Sequence, residues 1–231
     1  MKSTVSTARQ TAASAREGDF VTTTTLQVWA DVLCPWCWMG HRRLAQAIAE
    51  SGVPARIEHR SFLLGPEGPG PERRRIAETA TAEWGMSPAE WGRRRDRIEQ
   101  AGRAQGLTIR MDTAWALDSR PAHRVLKLAA ARGLDETAAW EAMFAAHLRD
   151  NLDLAEWSVL ANLKTGLERD EVLALGDNEE YAAEVLADHE EGQSRGIRSV
   201  PTVGHGDRLL AGARSVEELA EFVRSAAKAV A

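Results

Sequence analysis

Hydrophobic residues near the start of the chain follow first a strand pattern and then a helix pattern. Residues Thr25–Leu33 (TLQVWADVL) are apolar and β-branched enough to predict a buried strand. Cys37 and Leu44 then fall on one helical stripe, and Gly52 predicts the end of that helix. Residues 55–62 predict a second strand. Strand, helix and strand in this order indicate a parallel βαβ unit.

The middle of the chain, from about residue 71 to 195, has a helical pattern almost throughout. Ser87 and Pro88 predict a helix start, as the N-cap and the first helical residue. Amphipathic segments such as Asp118–Gly133 and Asp135–Asp150 predict further short helices. Together they indicate a compact helical bundle.

The pattern changes again near the end of the chain. An apolar segment at Pro201–Val203, a Gly-His-Gly-Asp turn and the segment RLLAG predict a β-hairpin. An amphipathic helix follows from Ser215, with Leu219, Phe222 and Val223 expected on its inner face. The whole order is therefore βαβ, a helical block, and ββα.

Composition narrows the class of protein. The chain has 231 residues, 44% of them hydrophobic, and a net charge of −5, which argues against nucleic acid as the main partner. No apolar run reaches the roughly 18 residues of a membrane span. Residues 1–22 are rich in Ser, Thr and Ala and lack the apolar centre of a secretory signal. We therefore expect a disordered tail, no membrane association and a cytoplasmic location.

The chain contains only two cysteines, Cys34 and Cys37, in the sequence Cys-Pro-Trp-Cys. A disulfide between them would close a loop of about four residues and stabilise the fold little. A structural zinc site usually needs four ligands, but the six histidines are scattered and no second CxxC is present. Covalent haem attachment requires His after the second cysteine, where Trp38 stands. We expect no metal, and a redox dithiol is favoured over two chance core cysteines.

The position of each cysteine predicts its role. Pro35 suits the first turn of the helix, which places Cys34 at the helix N-terminus. Unpaired backbone N–H groups there favour the thiolate. Cys37 lies one turn further on and is expected to be more buried. Cys34 would then attack a sulfur of the substrate, and Cys37 would resolve the mixed disulfide.

Four neighbouring residues are further candidates. We expect Trp36 at the surface, as an apolar platform for substrate, and Trp38 in the core. Asp31 could alter thiol acidity, or serve as a helix cap or loop hydrogen-bond acceptor. His41 could carry a proton, although a solvated or capping histidine fits its position better.

Two Arg-Arg-Arg runs, 73–75 and 93–95, lie near Trp84 and Trp91. Such a mixture could bind an anionic ligand or nucleic acid. Acidic residues are interleaved with the arginines, however, and this favours a solvated, salt-bridged helix face.

The element order, with CxxC opening the first helix, is that of a thioredoxin fold with a helical insertion. The sequence resembles the DsbA-like thioredoxin superfamily, and within it the FrnE-like branch. The resemblance spans about residues 24–226 and rests on three segments, Asp31–Gly40, Ser119–Ala129 and Ser194–Val203. It implies an α/β protein in which a thioredoxin fold carries an inserted α-helical domain.

This resemblance also implies domain limits. The thioredoxin-like domain would consist of residues 23–65 and 190–231, and the inserted helical domain of residues 66–189. The Pro- and Gly-rich segment Gly65–Glu72 marks the first boundary.

The resemblance assigns roles to the site residues. Cys34 resembles the nucleophile and Cys37 the resolving thiol. Pro201 resembles a cis-proline that faces the active site, with an ordinary trans proline at the start of a strand as the alternative. The backbone of Val200 would then face the CxxC loop and could pair with an extended substrate. Arg198 departs from the small residue that is common in the family before this loop.

A cytosolic thiol–disulfide oxidoreductase is the favoured function, and in a reducing compartment reduction or isomerisation is favoured over net oxidation. Its substrate would be a protein or small molecule bearing a disulfide or thiol. The dithiol would be the only redox group, with glutathione as a potential co-substrate, in a monomer or homodimer. Two alternatives stay open. One is a glutathione-using isomerase or transferase for a small aromatic or polyketide-like molecule, and the other is a non-catalytic interaction protein.

Overall fold

A computed structural model describes residues 23–68 and 73–229. The predicted tail, residues 1–22, lies outside the described residues. The elements follow one another as β1 (Thr24–Ala30), α1 (Pro35–Ser51), β2 (Ala55–Ser61), β3 (Arg74–Arg75), α2 (Ile76–Ala82), α3 (Pro88–Arg103), β4 (Trp115–Ala116), α4 (Arg120–Ala131), α5 (Glu136–Phe144), a π-helical turn (Ala145–Arg149), α6 (Trp157–Leu160), α7 (Arg169–Leu175), α8 (Ala182–Ser194), β5 (Thr202–His205), β6 (Arg208–Ala211) and α9 (Val216–Lys228).

The main sheet has four strands in the order β2-β1-β5-β6. β1 is parallel to β2, as the predicted βαβ unit requires, and antiparallel to β5. β5 and β6 form the predicted antiparallel hairpin. The first and last parts of the chain therefore meet in the middle of one sheet.

Helix ends lie where the sequence signals place them. Pro35 occupies the first turn of α1, and Gly52 ends the helix with a φ of 70°, a left-handed conformation that glycine adopts without strain. Ser87 and Ser215 begin α3 and α9 with reciprocal capping boxes, in which each serine accepts a hydrogen bond from the backbone N–H three residues on.

Both faces of the sheet are buried. On one face, Leu26 and Val28 pack with the inner residues of α1 and α9, and the predicted inward residues of α9 belong to this core. On the other face, Trp29 packs closely against Gly192 of α8, whose missing Cβ would lie 2.9 Å from the indole. Helices of the inserted region cover this side and extend the core beyond the sheet.

Two carboxylates, one buried and one partly exposed, connect the inserted helices to the sheet and to α1. Asp188 of α8 accepts a hydrogen bond from the Ser61 backbone of β2 at 2.8 Å and forms an ion pair with Lys127 of α4. Glu141 of α5 accepts a hydrogen bond from the Trp38 indole of α1 at 2.8 Å. The insertion is thus held to the same helix that carries the cysteines.

The structure differs from the sequence prediction in the inserted region. β3 and β4 form a two-stranded antiparallel ribbon in a region whose pattern is helical almost throughout. Two-residue strands carry no period, so the hydrophobic pattern could not predict them. The domain limit predicted at residues 189 and 190 falls inside α8, which contacts both β2 and α4. None of the helices in the described part of the chain combines the length and apolar character needed to cross a membrane.

Candidate active site

Cys34 is the N-cap residue of α1, as the position of Pro35 predicts. Its φ of −89° and ψ of 113° are extended, and its carbonyl oxygen accepts a hydrogen bond from the Cys37 N–H at 3.0 Å. The Cys34 thiol donates to the carbonyl oxygen of Val200 at 3.7 Å. This contact joins residues 166 positions apart in the chain. The start of α1 and the loop before β5 are therefore in contact through the Cys34 sulfur.

Cys37 lies one turn further along α1 and is 1% exposed. Burial raises its pKa well above the usual value, because a thiolate in this apolar setting would lose its hydration; the neighbouring Cys34 raises it further. Cys34 is itself only 5% exposed, so the predicted difference in burial is small. The two thiols are not bridged. They differ mainly in that Cys34 lines an open cleft.

Pro201 lies against the first turns of α1. The Val200–Pro201 peptide bond is cis, as the family resemblance implies. The Pro201 carbonyl accepts a hydrogen bond from the Gly212 N–H at 2.7 Å, which ties the loop to β6. Gly40 of α1 makes room for the proline ring, since a Cβ there would lie 2.7 Å from Pro201 Cγ. The absence of a side chain at this position lets the loop approach the CxxC helix.

Asp31 is fully buried below the loop that leads into α1. Its carboxylate accepts hydrogen bonds from the backbone N–H groups of Leu33 at 3.1 Å and Leu64 at 2.7 Å. His123 lies 3.5 Å from it, and the Ser119 hydroxyl donates to it at 3.3 Å. Burial alone would raise the pKa of Asp31, but His123 and these backbone donors outweigh it and hold the pKa below its usual value. Among the roles considered for Asp31, this geometry fits the loop hydrogen-bond acceptor, and the charge of the carboxylate also contributes to the raised pKa of Cys37.

His41 is neither solvated nor capping, so the interpretation from the sequence is wrong for this residue. It is 7% exposed and lies between the rings of His59 and Phe144, with centroids 5.6 Å and 5.8 Å away. Burial, together with His59, lowers its pKa to about 4. The sequence could not show this, because the face of α1 that carries His41 is covered by α5 of the insertion.

A cleft of about 440 Å³ opens beside Cys34. On one side it is lined by Cys34, Trp36 and Val200, and on the other by residues of the inserted region. Trp36 is partly exposed and packs against the core, whereas Trp38 is 1% exposed. The predicted substrate-side residues Trp36 and Val200 thus lie in one cleft with the candidate nucleophile.

The insertion brings further residues to this site that the cysteine motif does not indicate. Ser119 and His123 lie in the segment that carries the family resemblance. With Asp118 they resemble a serine nucleophile set in composition only, and the sequence predicts no role for them beside the cysteines. Their spacing of four places both on one face of α4, directed at Asp31, and this was the available signal. The tryptophans and arginines across the cleft are visible in the sequence only as mixed Arg and Trp runs. Those runs fit both a ligand site and a salt-bridged helix face in residue type.

Comparison with known proteins agrees with this geometry. The family model of the DSBA-like thioredoxin domain matches residues 25–224. No curated protein sequence matches the chain. Among solved structures, the chain is similar to a probable DsbA oxidoreductase from Streptomyces coelicolor, with a TM-score of 0.80 and 28% identity over 88% of this chain and 89% of that one.

Two more distant structures share the fold. The cytosolic disulfide reductase DsbM from Pseudomonas aeruginosa has a TM-score of 0.59 and 19% identity, over 89% of this chain and 99% of that one. A 2-hydroxychromene-2-carboxylate isomerase has a TM-score of 0.61 and 14% identity, over 89% of this chain and 95% of that one. Because the family model spans most of the chain, and the CxxC helix, sheet and insertion have the corresponding arrangement, the protein belongs to the DSBA-like thioredoxin domain family.

Proposed function

We propose that this protein is a thiol–disulfide oxidoreductase in which Cys34 is the nucleophile and Cys37 the resolving thiol. The observation that carries the proposal is the position of Cys34. It begins α1, contacts the Val200 carbonyl and lines the cleft, whereas Cys37 lies just behind it and away from the cleft. A substrate sulfur can reach only the first of the two thiols.

The exchange takes two steps. The Cys34 thiolate attacks one sulfur of a substrate disulfide, the Cys34–substrate bond forms, and the other substrate sulfur leaves as a thiolate that takes a proton from water. The Cys37 thiol then loses its proton to solvent and attacks the Cys34 sulfur. This step forms the internal disulfide and releases the second substrate thiol. Two electrons pass from the dithiol to the substrate.

The surrounding residues have supporting roles in this proposal. Val200 and Pro201 form the backbone edge along which an extended substrate would lie, and Trp36 offers an apolar surface beside it. Asp31 holds the loop before Cys34 through its two backbone hydrogen bonds. His41 has no part in the exchange, since it is enclosed by aromatic rings.

We further propose a cytoplasmic, FrnE-like protein that works in the reducing direction on thiol- or disulfide-bearing substrates. The similarity to DsbM, which is described as a cytosolic disulfide reductase, supports this direction. DsbM has also been solved with glutathione, so glutathione is a reasonable co-substrate to return the protein to its dithiol form. Assembly as a monomer or a homodimer stays a prediction.

The test is an equilibrium titration in glutathione redox buffers, followed by tryptophan fluorescence and by thiol alkylation. We expect one two-electron transition that is lost in both Cys34→Ser and Cys37→Ser. With a substrate disulfide, Cys37→Ser should accumulate the mixed disulfide on Cys34, and Cys34→Ser should form none. Disulfide exchange by Cys34→Ser at the normal rate would contradict the assignment.

A glutathione-using isomerase or transferase is the second candidate, favoured by the cleft of small-molecule size at Cys34. It requires Cys34 but not Cys37. A stable glutathione adduct on Cys34 with no internal disulfide, and full activity in Cys37→Ser, would favour it over the oxidoreductase.

A further inference from the structure

The cleft beside Cys34 is lined largely by aromatic and aliphatic side chains, which suit a small apolar group. Its volume of about 440 Å³ lies in the range of small-molecule sites. Trp36, Trp84, Trp91 and Trp115 line it. A folded protein substrate could insert only a side chain into this cleft, whereas a small molecule with a ring could fill it.

Of these four tryptophans, Trp91 and Trp115 are held by polar partners, whereas Trp84 is exposed at the surface. The Trp91 indole donates to Asp112 at 2.8 Å. The Arg75 guanidinium lies 3.3 Å from the centre of the Trp115 ring. Trp84 is 51% exposed and meets Trp91 edge to face. The cleft thus combines a rigid aromatic wall with one exposed ring that a ligand could cover.

The charges around the cleft are unbalanced. A second cavity of about 490 Å³ shares Trp36, Arg94 and Ile98 with the first and adds Arg93 and Arg97. Arg94 and Arg97 make no hydrogen bond or ion pair with any other residue that the structure describes. Arg198, at the other rim, donates only to backbone carbonyls at 3.1 Å.

The acidic residues of the same walls are already engaged. Glu83 pairs with Arg74 at 2.8 Å. Glu90 accepts hydrogen bonds from the backbone and hydroxyl of Ser87 in the cap of α3. On a chain with a net charge of −5, the cleft therefore presents unpaired positive charge beside apolar rings. Such a site favours an anion with an apolar body.

We propose that the cleft selects a low-molecular-weight disulfide that carries an aromatic ring and a carboxylate. The carboxylate faces Arg94, and the ring covers Trp84. This inference rests on the proposed function, because Cys34 performs the exchange. The electron balance is that of the two steps above: the dithiol is oxidised to the internal disulfide and the bound disulfide is reduced to two thiols.

The test is single-turnover oxidation of the reduced full-length protein by three disulfides at about pH 7.5, where carboxylates are ionised and pyridines neutral. Bis(carboxynitrophenyl) disulfide has rings and carboxylates, dipyridyl disulfide has rings alone, and bis(hydroxyethyl) disulfide has neither. Each rate is divided by the rate of the same disulfide with mercaptoethanol, which removes intrinsic reactivity.

Arg94→Gln is compared with Arg56→Gln, a matched control in which an exposed arginine of β2, outside the cleft, loses its charge. We expect Arg94→Gln to slow the carboxylate-bearing disulfide about threefold to fivefold at low salt and to leave the other two unchanged. Trp84→Ala should slow both ring-bearing disulfides about fivefold and spare bis(hydroxyethyl) disulfide.

The outcomes separate this inference from the proposed function. If every disulfide oxidises the protein but Arg94→Gln behaves like Arg56→Gln, the charge selection is wrong and the oxidoreductase stands. Faster reduction of insulin than of any small disulfide, unaffected by either variant, would identify a protein substrate and overturn the inference. If none of the disulfides yields the internal Cys34–Cys37 bond, the proposed function itself fails.

Discussion

Acid should destabilise this protein well above the pH at which carboxylates titrate. His41 and His147 are both buried, and burial lowers the pKa of each to about 4. In the unfolded chain the same rings have a pKa of about 6.5. Between these values the unfolded state binds more protons than the folded state, so the free energy of unfolding falls as the pH falls.

The magnitude follows from the two pKa values. At about pH 5 each of these histidines would reduce the free energy of unfolding by roughly 2 kcal/mol, or about 4 kcal/mol for the pair. Burial also lowers the pKa of His59, although Glu136 at 3.6 Å opposes the shift, and this adds to the effect in the same direction. A domain is commonly stable by about 5–15 kcal/mol, so the loss is a large share of the total.

The assay is urea unfolding at a series of pH values, followed by tryptophan fluorescence and circular dichroism. His147→Leu removes one titrating ring and should remove about 2 kcal/mol of the loss between about pH 7.5 and 5. Leu154→Val, at a fully buried apolar position, is the control: it alters the core without removing a titrating group and should keep the full dependence. Equal stability at both pH values, or an unchanged slope in His147→Leu, would refute the reasoning.

Three further substitutions test the packing of the site. Gly40→Ala places a methyl group 2.7 Å from Pro201 Cγ. The overpacking should cost about 1–3 kcal/mol, more than the gain in helix propensity of about 1 kcal/mol, so urea unfolding should show a lower free energy of unfolding. Single-turnover rates should show slower disulfide exchange. Asp31→Asn removes a buried charge that raises the pKa of Cys37, so alkylation of that thiol should titrate at lower pH. An unchanged titration would contradict this effect of the charge. Glu141→Gln should lower the free energy of unfolding by about 1–3 kcal/mol, because the carboxylate accepts hydrogen bonds from the Trp38 indole and the Arg42 guanidinium of α1. Equal urea midpoints for the two proteins would show that these hydrogen bonds do not stabilise the fold.

The sequence was most informative where local signals and the fold agree. Pro35 and Gly52 limit α1, Ser215 begins α9, and an apolar, β-branched run marks β1. The sequence could predict that Pro201 lies beside the cysteine pair, because each belongs to a segment of the family pattern. Their roles in disulfide exchange stay predictions.

What could not be predicted depends on long-range packing. The burial of His41 requires α5 to cover its face of α1, and no residue near His41 indicates that. The cleft is formed by the insertion and the β5 loop together, so the separate Arg and Trp runs looked like an ordinary salt-bridged surface. Part of that interpretation is right, because Arg95 pairs with Asp96 and Asp112.

The central position of β5 in the sheet has a consequence for synthesis of the chain. The Cys34 thiol is made 166 residues before the carbonyl that it contacts. At about 5–20 residues per second, the ribosome needs roughly 8–33 s to cover that distance. Throughout that interval β1 has an open edge and both thiols lack the loop that later shields them. The nascent chain is therefore exposed to oxidants and to other nascent strands at the segment on which the proposed exchange depends.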